Sequence, residues 1–435
     1  MRAIKNHASR KTLLKSTVAG AVLCASAALA PAMADEAAPA ADPSAIKFTA
    51  LIETGATFAN TSKGNNVNYG HLLTDKTDQL LLNQASLTLN KDLDPKAEGF
   101  DWGFKLQGFY GSDARYTHFV GLWDHNTSDR NQFDITEANL LAHLPVLTEG
   151  GIDAKVGFYS TPIGAEVIAA SGNYLYSHSY IFNFALPLKH TGGYLTTHVN
   201  STLDIITGAD TGFNETFGAR GTVNHGGPSA LAGFGLNNLM DGQLTILALG
   251  HFGAQAPGGT PNGTAKSADH GRYLYDVVAT YKPTDTAWTF ITEGAYVRED
   301  AATTTQANAH AFGLAQYGIY AWNSWLSLVG RAEVFADKQN YFVAAYPGNR
   351  DPILAARGMT LDQNSIAAAS GATYGSLTLG ANITIPDLPE RLTGTMLRPE
   401  LRWDSTLNGV GAYNGGTSTG QFTAGVDLVL PVSIF

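Results

Sequence analysis

Apolar and polar residues alternate along almost the whole chain, and after residue 34 no apolar run reaches 18 residues. A period of two puts successive side chains on opposite faces of a strand. In residues 101–110, Trp102, Phe104, Leu106 and Tyr110 share one face, while Asp101, Lys105 and Gln107 share the other. The same alternation sets Phe48, Ile52 and Phe58 against Lys47, Thr49 and Glu53, and Leu397, Leu401 and Trp403 against Arg398, Glu400, Arg402 and Asp404. A membrane-spanning helix needs about 20 consecutive apolar residues and is excluded after residue 34. A membrane barrel is not excluded, because it spans by alternation.

Composition narrows the class further. Charged residues make up 15% of the chain, and Gly occupies 47 of 435 positions. A disordered chain would be more charged and less hydrophobic. A helical chain would carry less Gly. A net charge of −10 argues against nucleic acid as a partner.

Residues 1–34 read as a cleaved signal peptide. Arg2, Lys5, Arg10, Lys11 and Lys15 form the basic start, residues 17–30 the apolar run, and Ala32-Met33-Ala34 the cleavage site. Cleavage removes five of the 27 Lys/Arg and none of the 37 Asp/Glu, which takes the net charge to −15. It also removes Cys24, the single cysteine, leaving no disulfide, thiolate nucleophile or Cys-bound metal. Residues 35–45 read as a flexible lead-in, and 46–435 as one domain.

The alternation predicts about sixteen strands, near 46–59, 81–92, 100–111, 132–145, 151–160, 190–199, 201–210, 216–224, 243–254, 271–282, 286–298, 309–322, 325–336, 373–385, 394–405 and 419–434. Tight connections alternate with long polar ones, the layout of short periplasmic turns and long extracellular loops. The fold expected is all-β: a single transmembrane antiparallel β-barrel. The connection 225–242 is long for a periplasmic turn, which leaves eighteen strands open. A soluble sandwich of this length would need about four repeated domains, and no repeat is seen.

Two stretches carry a family resemblance: residues 155–198, with KVGFYSTPIGAEV and YLYSHSYIFNFALPLKHTGGYLTTH, and LRPELRWD at 397–404. Together they resemble the OmpL-like family of outer-membrane β-barrel porins. The resemblance implies a porin of the Gram-negative outer membrane, with lipid and the barrel-assembly machinery as partners. Such barrels commonly end in Phe, as Phe435 does here. Phe435 is out of phase with the even-numbered apolar positions of the last strand, so either a bulge near Pro431 resets the register or the residue is not read as the usual assembly signal.

Sixteen strands leave room for an aqueous channel. Parity points Lys47, Glu53, Lys105, Glu137, Lys155, Asp204, Arg220, Asp276, Glu293, Arg331, Glu333, Arg398, Glu400, Arg402 and Asp404 inward. A Lys or Arg facing lipid at the midplane costs about 2–4 kcal/mol, so these charges call for a wet or well-paired interior. They serve either to brace the wall or to set a transverse field for permeating solutes. The pore-lining candidates are Lys105, Lys155, Arg220, Glu293, Arg331, Glu333, Arg398, Glu400, Arg402 and Asp404. Loop 161–189 is long and rich in Ile, Val, Tyr and Phe, so it would fare badly in water. It is expected to fold inward as a constriction loop, with Glu166, His178 and Lys189 or His190 near the narrowest point. A cap over the mouth or a subunit contact are the alternatives.

Catalytic and metal motifs are absent, and the eleven His left after cleavage show no ligand spacing. No enzyme activity, cofactor or metal is expected. The function expected is passive diffusion of small hydrophilic solutes and ions. A sugar- or anion-specific channel and a non-conducting structural or adhesive barrel remain open, and a homotrimer suits a barrel of this width.

Overall fold

Each strand pairs antiparallel with its neighbours in sequence, and the last returns to pair with the first, so no sheet edge is left. The architecture comes from a computed structural model that describes residues 45–60, 66–119, 122, 130–216, 228–254, 271–300, 308–343 and 371–435. The signal segment, all but the last residue of the lead-in, and Arg220 lie outside these residues. The strands are β1 (Lys47–Ala59), β2 (Gln79–Lys91), β3 (Asp101–Gly111), β4 (Gln132–Leu144), β5 (Ile152–Ser160), β6 (Lys189–His198), β7 (Leu203–Asp210), β8 (Ser229–Asn238), β9 (Leu244–Ala254), β10 (Gly271–Tyr281), β11 (Trp288–Glu299), β12 (Ala309–Ala321), β13 (Leu326–Asp337), β14 (Ala372–Thr384), β15 (Met396–Thr406) and β16 (Gly420–Ser433). No helix among the described residues is long and apolar enough to cross a membrane.

The barrel closes at sixteen, which removes the eighteen-strand alternative. Fifteen strands lie where the alternation places them. The eighth barrel strand is Ser229–Asn238, inside the segment read as a turn, while the predicted 216–224 lies, all but Thr216, outside the described residues. Its sequence, SALAGFGLNN, alternates small residues with Leu and Phe, so the period is present with almost no polar contrast to reveal it. The β8–β9 connection is then a short turn through Leu239–Gly242, with Asn238 and Met240 at positive φ.

The outward face is apolar and exposed, with Leu80, Leu140, Leu379 and Leu401 among its residues. Two belts of contacting aromatics bound it. Trp288, Phe290, Tyr320 and Trp322 form part of the belt on the short-turn side. Phe252, Tyr275, Tyr296 and Phe312 form part of the other. Such girdles mark the two membrane–water interfaces. No bulge stands near Pro431: β16 runs against β1 in unbroken register to Ser433. There the chain leaves the strand, and the Phe435 ring comes to 5.5 Å from outward-facing Phe48.

Two bulges do occur among the described residues, and both serve the interior. Across from Glu53 and Thr54, β2 holds one extra residue, so Asn83 and Gln84 both turn inward and are buried. Across from Gln107 and Gly108, β4 does the same with Thr136 and Glu137. A bulge re-aims side chains at the cost of one unpaired residue.

Candidate functional site

The β5–β6 connection, residues 161–188, lies inside the barrel. Its entry turn needs Gly164 at φ +96°, a region disfavoured for residues with a Cβ. Ser179 then caps the short helix α1 (Tyr180–Phe184), its Oγ accepting from Phe182 N–H at 3.1 Å. Ile163, Ile168, Leu175, Phe182, Phe184 and Leu186 are buried in one apolar cluster. The same cluster holds inward-facing wall residues: Ile206, Leu231, Leu249, Leu274, Ile291 and Phe335. The inner face of the barrel is therefore partly apolar, and the loop covers that part. Inward glycines give the loop room: a Cβ on Gly55 would meet the Tyr176 ring at 2.6 Å, and one on Gly380 would meet Leu175 at 2.6 Å.

Charged wall residues hold the loop backbone. Glu293 accepts from Ala165 N–H at 3.0 Å. Glu333 accepts from Tyr180 N–H at 2.7 Å, and Glu400 from the N–H groups of Tyr176 and Ser177, both at 3.1 Å. Arg398 donates to the carbonyls of Ala170 and Asn173 at 2.8 and 2.7 Å, and Arg402 to that of His178 at 2.8 Å. Arg331 donates to the Ser177 carbonyl and to Glu166, each at 2.8 Å. Among themselves the wall charges pair as Arg398 with Glu53 and Asp427, Arg402 with Glu333 and Asp404, and Arg331 with Glu333. Bonds from backbone amides and guanidinium forks to carboxylates are the strong class of hydrogen bond.

The residues predicted to line the pore thus divide. Glu293, Arg331, Glu333, Arg398, Glu400, Arg402 and Asp404 face inward but are buried beneath the loop, at 6% exposure or less. Lys105 keeps 35% of its side chain exposed, 3.6 Å from Glu137. Lys155 is half-buried beside the Tyr194 ring.

The residues predicted for the constriction divide too. Glu166 and His178 travel inward with the loop. Glu166 accepts from Arg331, from Tyr317 Oη at 3.0 Å and from Ser179 N–H at 2.8 Å. Burial, with Arg331 and Arg398 nearby, pushes the His178 imidazole down to about 3. Lys189 and His190 instead sit on the wall at the start of β6. Lys189 Nζ is spent on Asp134, at 2.6 and 2.7 Å, and His190 on Asp210 at 2.9 Å.

Sequence reasoning missed the other segments that fold inward. Asp75 receives both Arg115 nitrogens at 2.6 and 3.0 Å and Tyr116 Oη at 2.9 Å. His71 reaches Asp404 at 3.2 Å. Gln84 donates to the Ile168 carbonyl at 2.6 Å, and Tyr176 Oη to Asn83 at 3.0 Å. Tyr69, Leu72 and Leu73, an apolar group in a polar loop, were the one signal available.

A family model described as "Putative beta-barrel porin-2, OmpL-like" matches residues 45–432. No curated protein matches the chain in sequence. Among solved structures, the chain resembles an anion-selective porin from Comamonas acidovorans at 12% identity, covering 90% of this chain and 99% of that one, with a TM-score of 0.54. It also resembles the outer membrane channel DcaP of Acinetobacter baumannii, at 11% identity, 89% and 97% coverage and a TM-score of 0.51. Pseudomonas putida OprB in its high-pH form matches at 15% identity, 88% and 94% coverage and a TM-score of 0.51. Identities this low speak to the fold alone.

Proposed function

Because the chain belongs to the OmpL-like β-barrel porin family, we propose that it is a passive diffusion channel of the bacterial outer membrane with a mild preference for small anions. Export by the segment 1–34 belongs to this reading. So do barrel-assembly machinery as a partner and the absence of an enzymatic role.

One observation carries the preference. Among the described inward-facing wall charges, the partly exposed ones away from the short-turn rim are cations, Lys105, Lys155 and Arg272, while Glu53, Glu137, Asp276, Glu293, Glu333, Glu400, Asp404 and Asp427 are buried. Water and a permeating ion meet exposed charge, and buried paired charge is largely cancelled. The half-buried carboxylates Asp101 and Asp153, near the short-turn rim, are paired with Lys91 and with His143 and His198. Loop 161–188 narrows the lumen from the wall that Arg331, Arg398 and Arg402 occupy.

Planar-bilayer recording of the refolded, signal-free protein under a salt gradient tests this. Stable open steps with a reversal potential of anion sign are expected. A folded barrel that never conducts would refute the channel and favour a plugged structural barrel; a cation sign would refute the preference alone.

A homotrimer has its own support. Thr292 and Gln316 face outward at mid-strand, bonded to each other at 2.6 Å, beside outward-facing Gly294, Gly318 and Gly330. Polar side chains against lipid are costly, and a subunit contact would cover them. Cross-linking of the unheated protein is expected to give a trimer band that Gln316→Trp abolishes.

A further inference from the structure

Three side chains that sequence spacing gave no reason to group meet near the long-loop end of the wall. His190 is the second residue of β6, Asp210 closes β7, and His251 lies near the end of β9. One ligand atom from each, two imidazole nitrogens and a carboxylate oxygen, lie within 4.8 Å of one another, and all three residues are buried. His190 Nδ1 stands 2.9 Å from Asp210, and His251 Nε2 stands 2.9 and 3.1 Å from its two oxygens. His251 reaches Asp210 across β8 because Ser229 and Gly253 fill the intervening pair; a Cβ on Gly253 would meet Ser229 Oγ at 1.8 Å.

We propose that His190, Asp210 and His251 form a binding site for one divalent first-row transition-metal ion, of which Zn²⁺ is the representative. Two imidazoles and one carboxylate are a donor set for that class, with bonds of about 2.0–2.2 Å and an open position left for water. Ligand atoms on such a sphere stand roughly 3–4 Å apart, so the site closes on the ion with small side-chain shifts. Ligation through His190 Nδ1 moves that ring's proton to Nε2, where Thr161 Oγ1 accepts it at 2.9 Å. A second partner of this kind orients a metal-bound imidazole. Tyr159 stacks on His190 at 5.3 Å, and its buried Oη has no hydrogen-bond partner; a water on the ion would supply one. The nearby Arg272 lies 4.0 Å over the Phe213 ring and pairs with Glu299 at 3.5 Å, so its charge is partly offset. Thr161 is the first residue of loop 161–188, so the ion would tether the loop's entry to the wall.

The test uses the untagged, refolded, chelator-stripped barrel, incubated with Zn²⁺, desalted and assayed for metal per chain. About one zinc per barrel is expected. His190→Gln and His251→Gln, checked for heat-modifiable mobility, are expected to weaken binding at least about tenfold. His198→Gln, in the separate His143–Asp153–His198–Asp204 chain on the short-turn side, is expected to retain it. Should the Gln variants not fold, Cu²⁺ electron paramagnetic resonance of the unaltered barrel is expected to show coupling to imidazole nitrogens. Zinc retention no higher than in His251→Gln, loss in His198→Gln instead, or a copper spectrum without nitrogen coupling would each overturn the site.

Discussion

Arg331 serves five groups from one guanidinium: Glu166 and the Ser177 carbonyl at 2.8 Å, Ser177 Oγ at 3.1 Å, Glu333 at 3.2 Å and Thr378 Oγ1 at 3.4 Å. A buried ion pair contributes little net stability over an apolar pair, but losing one partner leaves the other uncompensated, at about 3–5 kcal/mol. Arg331→Met is therefore expected to lower the unfolding free energy of the vesicle-inserted barrel by up to that amount, read as a urea midpoint. Adding Glu166→Gln is expected to recover part of the loss; full additivity of the two would show that they do not interact. His178 gives the loop a pH dependence. Above about pH 6.5 the imidazole is neutral whether seated or free. As pH falls from there toward 3, the free loop takes up a proton that the seated loop refuses, so seating weakens. Asp113 opposes this: burial raises its carboxyl to about 7, which favours the folded state as pH falls from 7 to about 4. Comparison of His178→Gln with the unaltered chain isolates the first effect. Proteolytic nicking within 161–188 is expected to rise in acid for the unaltered chain and to stay flatter in the variant.

At the scale of the strand, parity is the controlling variable. Leu379 at 69% and Leu147 at 88% are both highly exposed, yet one faces lipid in β14 and the other sits in the β4–β5 turn. Leu379→Arg is expected to destabilise the barrel by about 2–4 kcal/mol, against roughly 0.5 or less for Leu147→Arg. Equal losses on urea titration would place the membrane elsewhere. The faces of most strands were legible because alternation is a local property. The bulges at Asn83 and Thr136 were not, since one inserted residue shifts the phase without a signature of its own. Strand β8 was missed for want of polar contrast on its inward face, where Ser229, Leu231, Gly233 and Gly235 stand. Inward glycines were a readable but unread sign of the loop. Gly55→Val is expected to unseat Tyr176 and raise proteolysis of 161–188, with the strand itself intact.

Across the whole molecule, charge is sorted by depth as well as by sign. The net charge of −10 says little about the channel, because most inward carboxylates are paired and covered. In the ring of strands, β3 and β5, which carry Lys105 and Lys155, stand four to eight positions from β13 and β15, which carry the arginines. Lys105→Glu with Lys155→Glu is expected to move the reversal potential to the cation sign while leaving the step size within about twofold. An unchanged potential would assign selectivity to residues other than these two.

The sequence by itself determined that the chain forms a membrane barrel, how most of its strands lie and which way their side chains point. Those properties follow from a period of two and from turn chemistry, both set by residues close together in the chain. Only the tertiary structure decided which inward residues meet water. Glu166 with Arg331, Tyr176 with Glu400 and Tyr180 with Glu333 are contacts between positions 150 to 230 residues apart. The meeting of His190, Asp210 and His251 likewise depends on the register of four adjacent strands. Whether a charge lines a channel or anchors a loop is a matter of what covers it, and no local pattern encodes the cover.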